Sequence, residues 1–200
     1  MLKAARDKAL ALIKQEGVIR PRDLEAKGIP RQYLWWLWQE GLVDRVGRGL
    51  YTLKGAETTE LQTMAEASKR IPQGVICLLS ALQFHGLTTA TPFQIWMAIA
   101  VKARRPKVDR PVMKFVRFSG RALTSGIEEH RQGRVTIKVY NSAKTVADCF
   151  KYRHKIGLDV ALAALRDCRQ QKQCSADDLW RYAKICRVQN VMKPYLEAVT

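Results

Sequence analysis

The sequence is short of acidic residues, and this shortage says more about function than any residue type it has in excess. Its 200 residues contain 18 Asp and Glu against 35 Lys and Arg, which leaves a formal charge of +17 at pH 7. A field of this sign gathers polyanions, so nucleic acid is the first partner to consider. The net charge is also compatible with a basic surface that binds no partner, because it does not say where on the protein the basic residues lie.

Long apolar runs and paired metal ligands are missing as well. No uncharged apolar run reaches the length of about 18 residues that a membrane helix needs, and the N-terminus lacks the continuous apolar segment of a signal peptide. The five cysteines are odd in number and form no C-x-x-C pair. This pattern argues against a disulfide framework and a zinc site, and it favours mostly reduced core thiols. We therefore expect a cytoplasmic protein without a membrane partner.

Patterns of catalytic residues are absent too. Neither the phosphate-binding G-x-x-x-x-G-K-[ST] loop nor the dinucleotide-binding G-x-G-x-x-G turn occurs. A metal-dependent nuclease needs a carboxylate two residues before a strand lysine, but Thr136 holds that position relative to Lys138. The segment 128–130, Glu-Glu-His, is interpreted as a solvated turn. The sequence therefore predicts no catalytic residue, no metal site and no cofactor, and we expect the protein not to be an enzyme.

Residues 1–54 carry the pattern of a winged helix-turn-helix DNA-binding domain. Helical periodicity and stop signals predict a first helix ending at Gly17, a short second helix from Pro21 to Gly28, and a third helix from Pro30 to Gly41. The segment "DRVGRGLYTL" then predicts a β-hairpin, because glycines flank Arg48 at its tip. In this architecture the third helix enters the major groove and the hairpin, or wing, contacts the DNA backbone or the minor groove.

The third helix and the wing supply the candidate DNA contacts. Spacing places Leu34, Leu37 and Trp38 toward the core. Arg31 lies at the helix end that meets base edges, and Gln32 suits adenine. The tryptophans at 35 and 36 are either buried under a second domain or mark an interface. The predicted DNA-binding residues are Arg22, Arg31, Gln32, Tyr33, Trp36, Gln39, Arg45 and Arg48.

Residues 55–200 are predicted to form a second, mixed α/β domain, which makes the whole chain α+β. A helix follows the junction, and "GVICLLSALQFHGL" predicts a buried strand leading into a helix. Three further strands are predicted at "FQIWMAIAV", "VMKFVRF" and "RVTIKVY", which together form a small sheet. From Ser142 onward the pattern is helical to the end, so the C-terminal half of this domain is expected to be helical.

A basic face is predicted on this second domain. The segment "KARRPKVDR" is the densest charge run of the chain, and the strands beside it are expected to expose cations on one side. The alternative is a solvated loop. The candidate residues of this face are Lys102, Arg104, Arg105, Lys107, Lys114, Arg117 and Lys138.

Three stretches of the chain resemble one family. "GVIRPRDLEAKGIPRQYLWWLWQEGLVDRVGRGLY" resembles the N-terminal winged helix of the AbiEi-type antitoxins of type IV toxin-antitoxin systems. "ASKRIPQGVICLLSALQFHGLTT" and "SAKTVADCFKYRHKIGLDVALAALRD" resemble their C-terminal domain. The most specific pieces are "RVGRGLY" and "KTVADCFKYRHKIG". The sequence departs from the family pattern at its tryptophans 35, 36 and 38, where polar or smaller residues are commoner.

The resemblance implies a bacterial transcriptional autorepressor and antitoxin. Its partners would be double-stranded DNA, bound at inverted repeats in the operon's promoter, and a nucleotidyltransferase-like toxin, which it opposes without needing a stable complex. The resemblance assigns DNA contacts to Arg31, Tyr33, Arg45 and Arg48, and it makes the basic face a candidate for antitoxicity. Two alternatives stay open: a nuclease that the helix-turn-helix delivers to DNA, and a protein-interaction module that binds the toxin directly.

Overall fold

The computed structural model describes residues 2–47, 49–55, 60–133 and 135–198. The N-terminal part of the chain, residues 2–55, folds as helices followed by a two-stranded antiparallel hairpin. Its elements are α1 (Leu2–Glu16), α2 (Pro21–Glu25), α3 (Gln32–Gln39), β1 (Val43–Gly47) and β2 (Leu50–Leu53). Their order is the predicted one, and the chain has the predicted mixed α/β character with an N-terminal helix-turn-helix.

Backbone hydrogen bonds tie the hairpin to the helices. The backbone N–H of Ile19 donates to the Tyr51 carbonyl at 2.9 Å, and the N–H of Tyr51 donates to the Ile19 carbonyl at 3.0 Å. Apolar side chains from α1, α2, α3 and β1 close a core beneath this bridge, and Ile13, Leu24 and Leu34 are buried in it. The wing is therefore held at a fixed position relative to α3.

The C-terminal part, residues 60–198, is built on one mixed sheet. Its strands are β3 (Val75–Ile76), β4 (Ile95–Ala100), β5 (Met113–Phe118), β6 (Ile127–Gln132) and β7 (Val135–Tyr140). Its helices are α4 (Glu60–Arg70), α5 (Leu78–Phe84), α6 (Arg121–Thr124), α7 (Ser142–Lys151), α8 (Arg153–Ile156), α9 (Leu158–Gln170), α10 (Ala176–Cys186) and α11 (Gln189–Ala198). The strand order is β5-β4-β3-β7-β6, in which β4 and β5 are parallel, as are β3 and β7.

Both faces of the sheet are covered. Helix α4 packs on one face through Met64 and Ala67, which meet Ile137 and Val139. The helical half of the chain, beginning with α7, packs on the other face through a larger core. Among the described residues, no helix has the length and apolarity needed to cross a membrane.

One prediction about this part is wrong, and the cysteine prediction holds for three of the five cysteines. Residues 128–130 belong to strand β6 rather than to a turn, because an edge strand paired on one side only can carry charged side chains toward water. Cys168 and Cys174 form a disulfide across the turn between α9 and α10. The cysteines at 77, 149 and 186 are free and buried, as expected for core thiols.

A buried ion pair lies in the centre of the helical half. The Lys144 ammonium is 2.5 Å from the Asp148 carboxylate, and neither side chain is exposed to solvent. The ammonium also lies 4.1 Å from the ring centroid of Tyr140 and 4.7 Å from that of Phe118. Burial raises the pKa of the Asp148 carboxyl from its ordinary value, and the neighbouring charge of Lys144 opposes that rise.

One lysine joins the two parts of the chain. Lys69, near the end of α4, donates from Nζ to the backbone carbonyl of Val18 at 2.7 Å. The same ammonium lies 2.5 Å from an Asp23 carboxylate oxygen and 3.9 Å from one of Glu16. A second contact lies at Gly133, which has a φ of +60° and where a Cβ atom would come within 2.8 Å of the Gln15 carbonyl oxygen.

The electrostatics of Asp23 follow from this junction. Burial favours the neutral form of its carboxyl group, but hydrogen bonds from the Lys69 ammonium and from the Arg20 backbone N–H, at 2.8 Å, outweigh burial. The pKa of Asp23 is consequently below its ordinary value of 3.8. A carboxyl group with a lowered folded-state pKa stabilises the fold above the unfolded pKa and loses that contribution as pH falls through the folded pKa.

We predict that Asp23→Asn lowers the free energy of unfolding by about 1 to 2 kcal/mol at pH 7, since a charge-assisted hydrogen bond is lost. Asn keeps an oxygen that can accept from the Arg20 N–H, so the change isolates the charge. The difference between variant and wild type should narrow as pH falls below about 4, where the carboxyl of the unfolded chain becomes protonated, and vanish once pH has fallen through the lower pKa of the folded state. Urea unfolding at a series of pH values measures it, with Asp44→Asn on the exposed surface of β1 as control. A variant as stable as wild type at pH 7 would remove Lys69 from the account of this junction.

For the buried pair, we predict that Lys144→Met costs about 3 to 5 kcal/mol of unfolding free energy, because Asp148 would be left as an uncompensated buried acid. The double variant Lys144→Met, Asp148→Leu should recover most of this loss, because apolar pairs of similar volume replace buried ion pairs well. Urea denaturation of the single and double variants decides the point. A double variant no more stable than the single one would contradict it.

Candidate nucleic-acid interface

Helix α3 presents one face to solvent. Arg31 and Gln32 at its start, Trp35 and Trp38 in its middle, and Gln39 at its end are all exposed and recur at helical spacing. Trp35 and Trp38 have 55% and 40% of their surface exposed. This face therefore combines a cation, two amides and two indole rings.

The orientation of α3 differs from the predicted one. Tyr33 is only 7% exposed and lies edge-on against Trp36, with ring centroids 5.0 Å apart. The core positions are Tyr33, Leu34 and Leu37, whereas Trp38 was predicted in the core and is exposed. Tyr33 and Trp38 flank the stripe of Leu34 and Leu37 on opposite sides, and α3 is rotated so that the Tyr33 flank is buried and the Trp38 flank is exposed. The predicted DNA contact of Tyr33 is thus limited by burial, and Trp36 is half-buried.

The wing lies beside this helix. Arg45 is exposed on β1, opposite Tyr51 of β2. Gly49 has a φ of +68°, a backbone conformation that glycine adopts without a Cβ clash and that the tight turn requires. Arg48, the predicted tip residue, lies outside the residues that the structure describes.

A cleft of about 580 Å³ brings cations from both parts of the chain together. Arg22 of α2, Arg31 at the start of α3 and Gly49 of the wing line one side. Lys107, from the loop between β4 and β5, lines the other side. Glu25 also lines the cleft, and its carboxylate lies 3.8 Å from the Arg31 guanidinium. The cleft is therefore basic without being uniformly so.

Sequence reasoning missed two arginines in this cleft. Arg20 donates to the backbone carbonyl of Lys69, and Arg70 forms an ion pair with Glu66 at 3.1 Å. Burial, followed by the charge of Arg22, lowers the pKa of the Arg20 guanidinium from its ordinary value. Both residues lie at element boundaries, where no periodic pattern distinguishes them. The Arg20 hydrogen bond joins the two parts of the chain, whereas the Arg70 ion pair lies within α4.

The basic loop is ordered by its own contacts. The Arg117 guanidinium donates to the carbonyls of Ala100, Val101 and Ala103, at 3.2, 2.6 and 2.8 Å. Arg105 lies over the Phe115 ring at 5.9 Å. Arg117, predicted as part of a basic contact face, therefore acts as a structural residue that fixes the start of the loop. The cations of the loop that face solvent are Lys102, Arg104, Arg105, Lys107 and Arg110.

The predicted continuous basic face does not form. Lys114 and Arg117 are three residues apart on β5, so they lie on opposite faces of the sheet, and the Lys114 ammonium sits 4.8 Å from the Trp96 ring centroid. Lys138 lies 4.0 Å from Glu129 and lines a different cleft, together with Glu16 and other residues. The strand lysines and arginines are thus dispersed: Lys138 meets the N-terminal part in one cleft, and the loop meets it in another.

Within the described ranges, no group of three or more His, Cys, Asp or Glu residues is placed to hold a metal ion. His130 contacts the Glu128 carboxylate at 3.4 Å on the exposed strand β6. His85 is directed inward instead, and its Nε2 lies 2.7 Å from the Tyr140 carbonyl. The described histidine contacts are therefore those of structural side chains.

Comparison with known proteins finds a match for the N-terminal part of the chain. The chain matches no curated protein. Residues 7–54, which contain α2, α3, the wing and most of α1, match the family model described as a transcriptional regulator, AbiEi antitoxin. The resemblance predicted from the sequence is thereby confirmed for residues 7–54, about a quarter of the chain, which are similar to the AbiEi antitoxin family of transcriptional regulators.

Proposed function

We propose that this protein is a DNA-binding autorepressor and the antitoxin of a bacterial toxin-antitoxin system. Two findings support the proposal: the exposed, partly cationic face of α3 beside the wing, and the family match over the same residues. In this proposal residues 1–54 form the DNA-binding domain. Residues 55–200 form a second domain that opposes a nucleotidyltransferase-like toxin without requiring a stable complex.

The arrangement suits a DNA duplex with α3 in its major groove. Arg31 begins the helix and would reach guanine or a phosphate, while Gln32 and Gln39 can pair with adenine. Arg45 on the wing would contact the phosphate backbone. The two kinds of contact have different roles: phosphate contacts set the register of the protein on the duplex, and base contacts set the sequence preference.

The observation that carries the proposal furthest is the shared cleft. Lys107 comes from the C-terminal part, yet it lines the same cleft as Arg22 and Arg31. Arg117 fixes the start of the loop that carries Lys107, through hydrogen bonds to the Val101 and Ala103 carbonyls. We infer that the loop adds a phosphate contact beyond the helix and wing, and that the DNA surface spans both parts of the chain.

The antitoxic role belongs in this proposal to two further exposed cations of the loop, Lys102 and Arg104. Replacing both with alanine should abolish protection when the chain is co-expressed with the nucleotidyltransferase-like protein of its operon, while promoter binding persists. Co-purification of the two proteins would favour a direct protein-interaction module instead. Cleavage of labelled DNA by the pure chain with Mg²⁺ would revive the nuclease alternative.

We predict that Lys107→Ala weakens binding to all duplexes by a similar factor. Because one phosphate contact is lost, the slope of log affinity against log salt should become shallower by about 0.9. Fluorescence anisotropy of a labelled promoter duplex at several salt concentrations measures it. Lys193→Ala, an exposed change on α11, is the control. A slope identical to wild type would exclude the loop from the interface.

Arg31→Ala should behave differently from Lys107→Ala. If Arg31 reads a base edge, its loss should cost about 1 to 3 kcal/mol on the promoter duplex and less on a scrambled duplex. The ratio of the two affinities, measured at one salt concentration, separates base reading from phosphate contact. An equal loss on both duplexes would assign Arg31 to a phosphate.

The two exposed tryptophans generate a further prediction. In the major groove, Trp35 and Trp38 would meet thymine methyl groups, which are apolar. Replacing a contacted thymine with uracil removes one methyl and should weaken wild-type binding by about fourfold, on the basis of about 0.8 kcal/mol per buried CH₂. The double variant Trp35→Ala, Trp38→Ala should lose this sensitivity. Equal sensitivity in the variant and the wild type would place the tryptophans outside the groove.

A further inference from the structure

A second basic cleft, of about 430 Å³, lies in the helical half of the C-terminal part. It is bounded by the start of α6 and by the C-terminal ends of α7 and α10. Its charged lining residues are Arg121, Lys151, Lys184 and Arg187, and no carboxylate is among the residues that line it. None of these four cations belongs to the candidate DNA surface.

The fold brings these cations together from three separate segments. Arg121 opens α6 directly after β5, Lys151 ends α7, and Lys184 lies in the last turn of α10. The Lys151 ammonium donates to the Cys186 carbonyl at 3.1 Å, which fixes the end of α7 against the end of α10. Arg187 follows in the left-handed backbone conformation, with a φ of 59°.

A structural role accounts for only part of this charge. Lysines near helix C-termini interact favourably with the helix dipole, which suits Lys151 and Lys184. Arg187 is the C-cap of α10, where the dipole again favours a cation. Arg121 begins a helix, so the dipole does not explain its position. The nearest buried acid, Asp148, is already engaged by the Lys144 ammonium and the Cys186 thiol.

The cleft that contains Arg22, Arg31 and Lys107 differs from this second cleft because a carboxylate lines it. There, Glu25 lines the cleft beside Arg31, and Asp23 lies 3.9 Å from Arg22. In the second cleft no ion pair with a carboxylate is found, among the described residues, for any of the four cations. Like charges gathered in one concavity repel each other, and a bound anion would remove that repulsion.

We propose that this cleft binds a small polyphosphate group. Four cations match an anion of charge −3 or −4 better than a single phosphate, and guanidinium groups such as those of Arg121 and Arg187 pair with phosphate oxygens in a bidentate manner. The Ser119 hydroxyl, which also lines the cleft, can donate a further hydrogen bond. A volume of about 430 Å³ suits a ligand of this size. The group is either free polyphosphate or the phosphate chain of a nucleotide.

The test is isothermal titration of the full chain with inorganic tripolyphosphate, and separately with a nucleoside triphosphate. We expect one tripolyphosphate per chain and at least tenfold weaker binding of inorganic phosphate. The variant Arg121→Ala, Lys184→Glu should lower tripolyphosphate affinity by at least tenfold. Its matched control is Arg166→Ala, Lys193→Glu, which makes the same change in net charge at exposed positions on α9 and α11.

The outcomes separate the alternatives. Unchanged affinity in the cleft variant, or an equal loss in the control, would overturn the proposal, since binding would then follow net charge alone. Inorganic phosphate binding as tightly as tripolyphosphate would contradict a polyphosphate ligand. Tighter binding of the nucleoside triphosphate would identify the source as a nucleotide, whereas equal binding would identify the phosphate chain alone.

A second variant guards against misfolding. Arg187→Asn keeps a residue that tolerates the left-handed conformation, so it removes the charge with little backbone strain. It should weaken tripolyphosphate binding while leaving the anisotropy of the promoter duplex unchanged. Competition between the duplex and tripolyphosphate for one site would instead make this cleft part of the DNA surface and overturn the proposal.

Discussion

The ammonium of Lys69 is the contact on which the arrangement of this molecule depends. It leaves the end of α4 and is bound by the Val18 carbonyl and the Asp23 carboxylate of the N-terminal part. A lysine with 11% of its side chain exposed must find such partners, because a buried charge without them is costly. Through this junction the start of α2 is fixed relative to the sheet. The loop between β4 and β5 consequently faces the helix-turn-helix, and the proposed DNA surface can extend across both parts of the chain.

The basic residues of this protein have different roles, which the net charge of the chain does not reveal. The Arg117 guanidinium donates to backbone carbonyls, and the Arg70 guanidinium pairs with the Glu66 carboxylate, so both are engaged within the fold. Lys144 of α7 is buried against Asp148 and the rings of Tyr140 and Phe118, so it belongs to the core. The cations left for ligands gather in two clefts, and the presence of a carboxylate in only one of them suggests different ligands.

Much of the fold could be predicted from the sequence, because local signals dominate it. Glycines and Pro21 mark the helix ends of the N-terminal part, and alternation marks the longer strands. The rotation of α3 could not be predicted, because Tyr33 and Trp38 are large aromatic residues on either side of the Leu34 and Leu37 stripe, and only packing decides which one is buried. Strand β6 was missed because an edge strand needs few apolar residues. The meeting of Lys107 with Arg31 depends on contacts between distant segments, which no periodicity encodes.

The central claim is that one duplex is contacted by both parts of the chain. A crystal structure of the full chain bound to its promoter duplex tests it most directly. The account predicts α3 in the major groove with the Lys107 ammonium within about 4 Å of a phosphate oxygen. A complex in which the duplex meets only the helix-turn-helix, with the loop turned toward solvent, would contradict it.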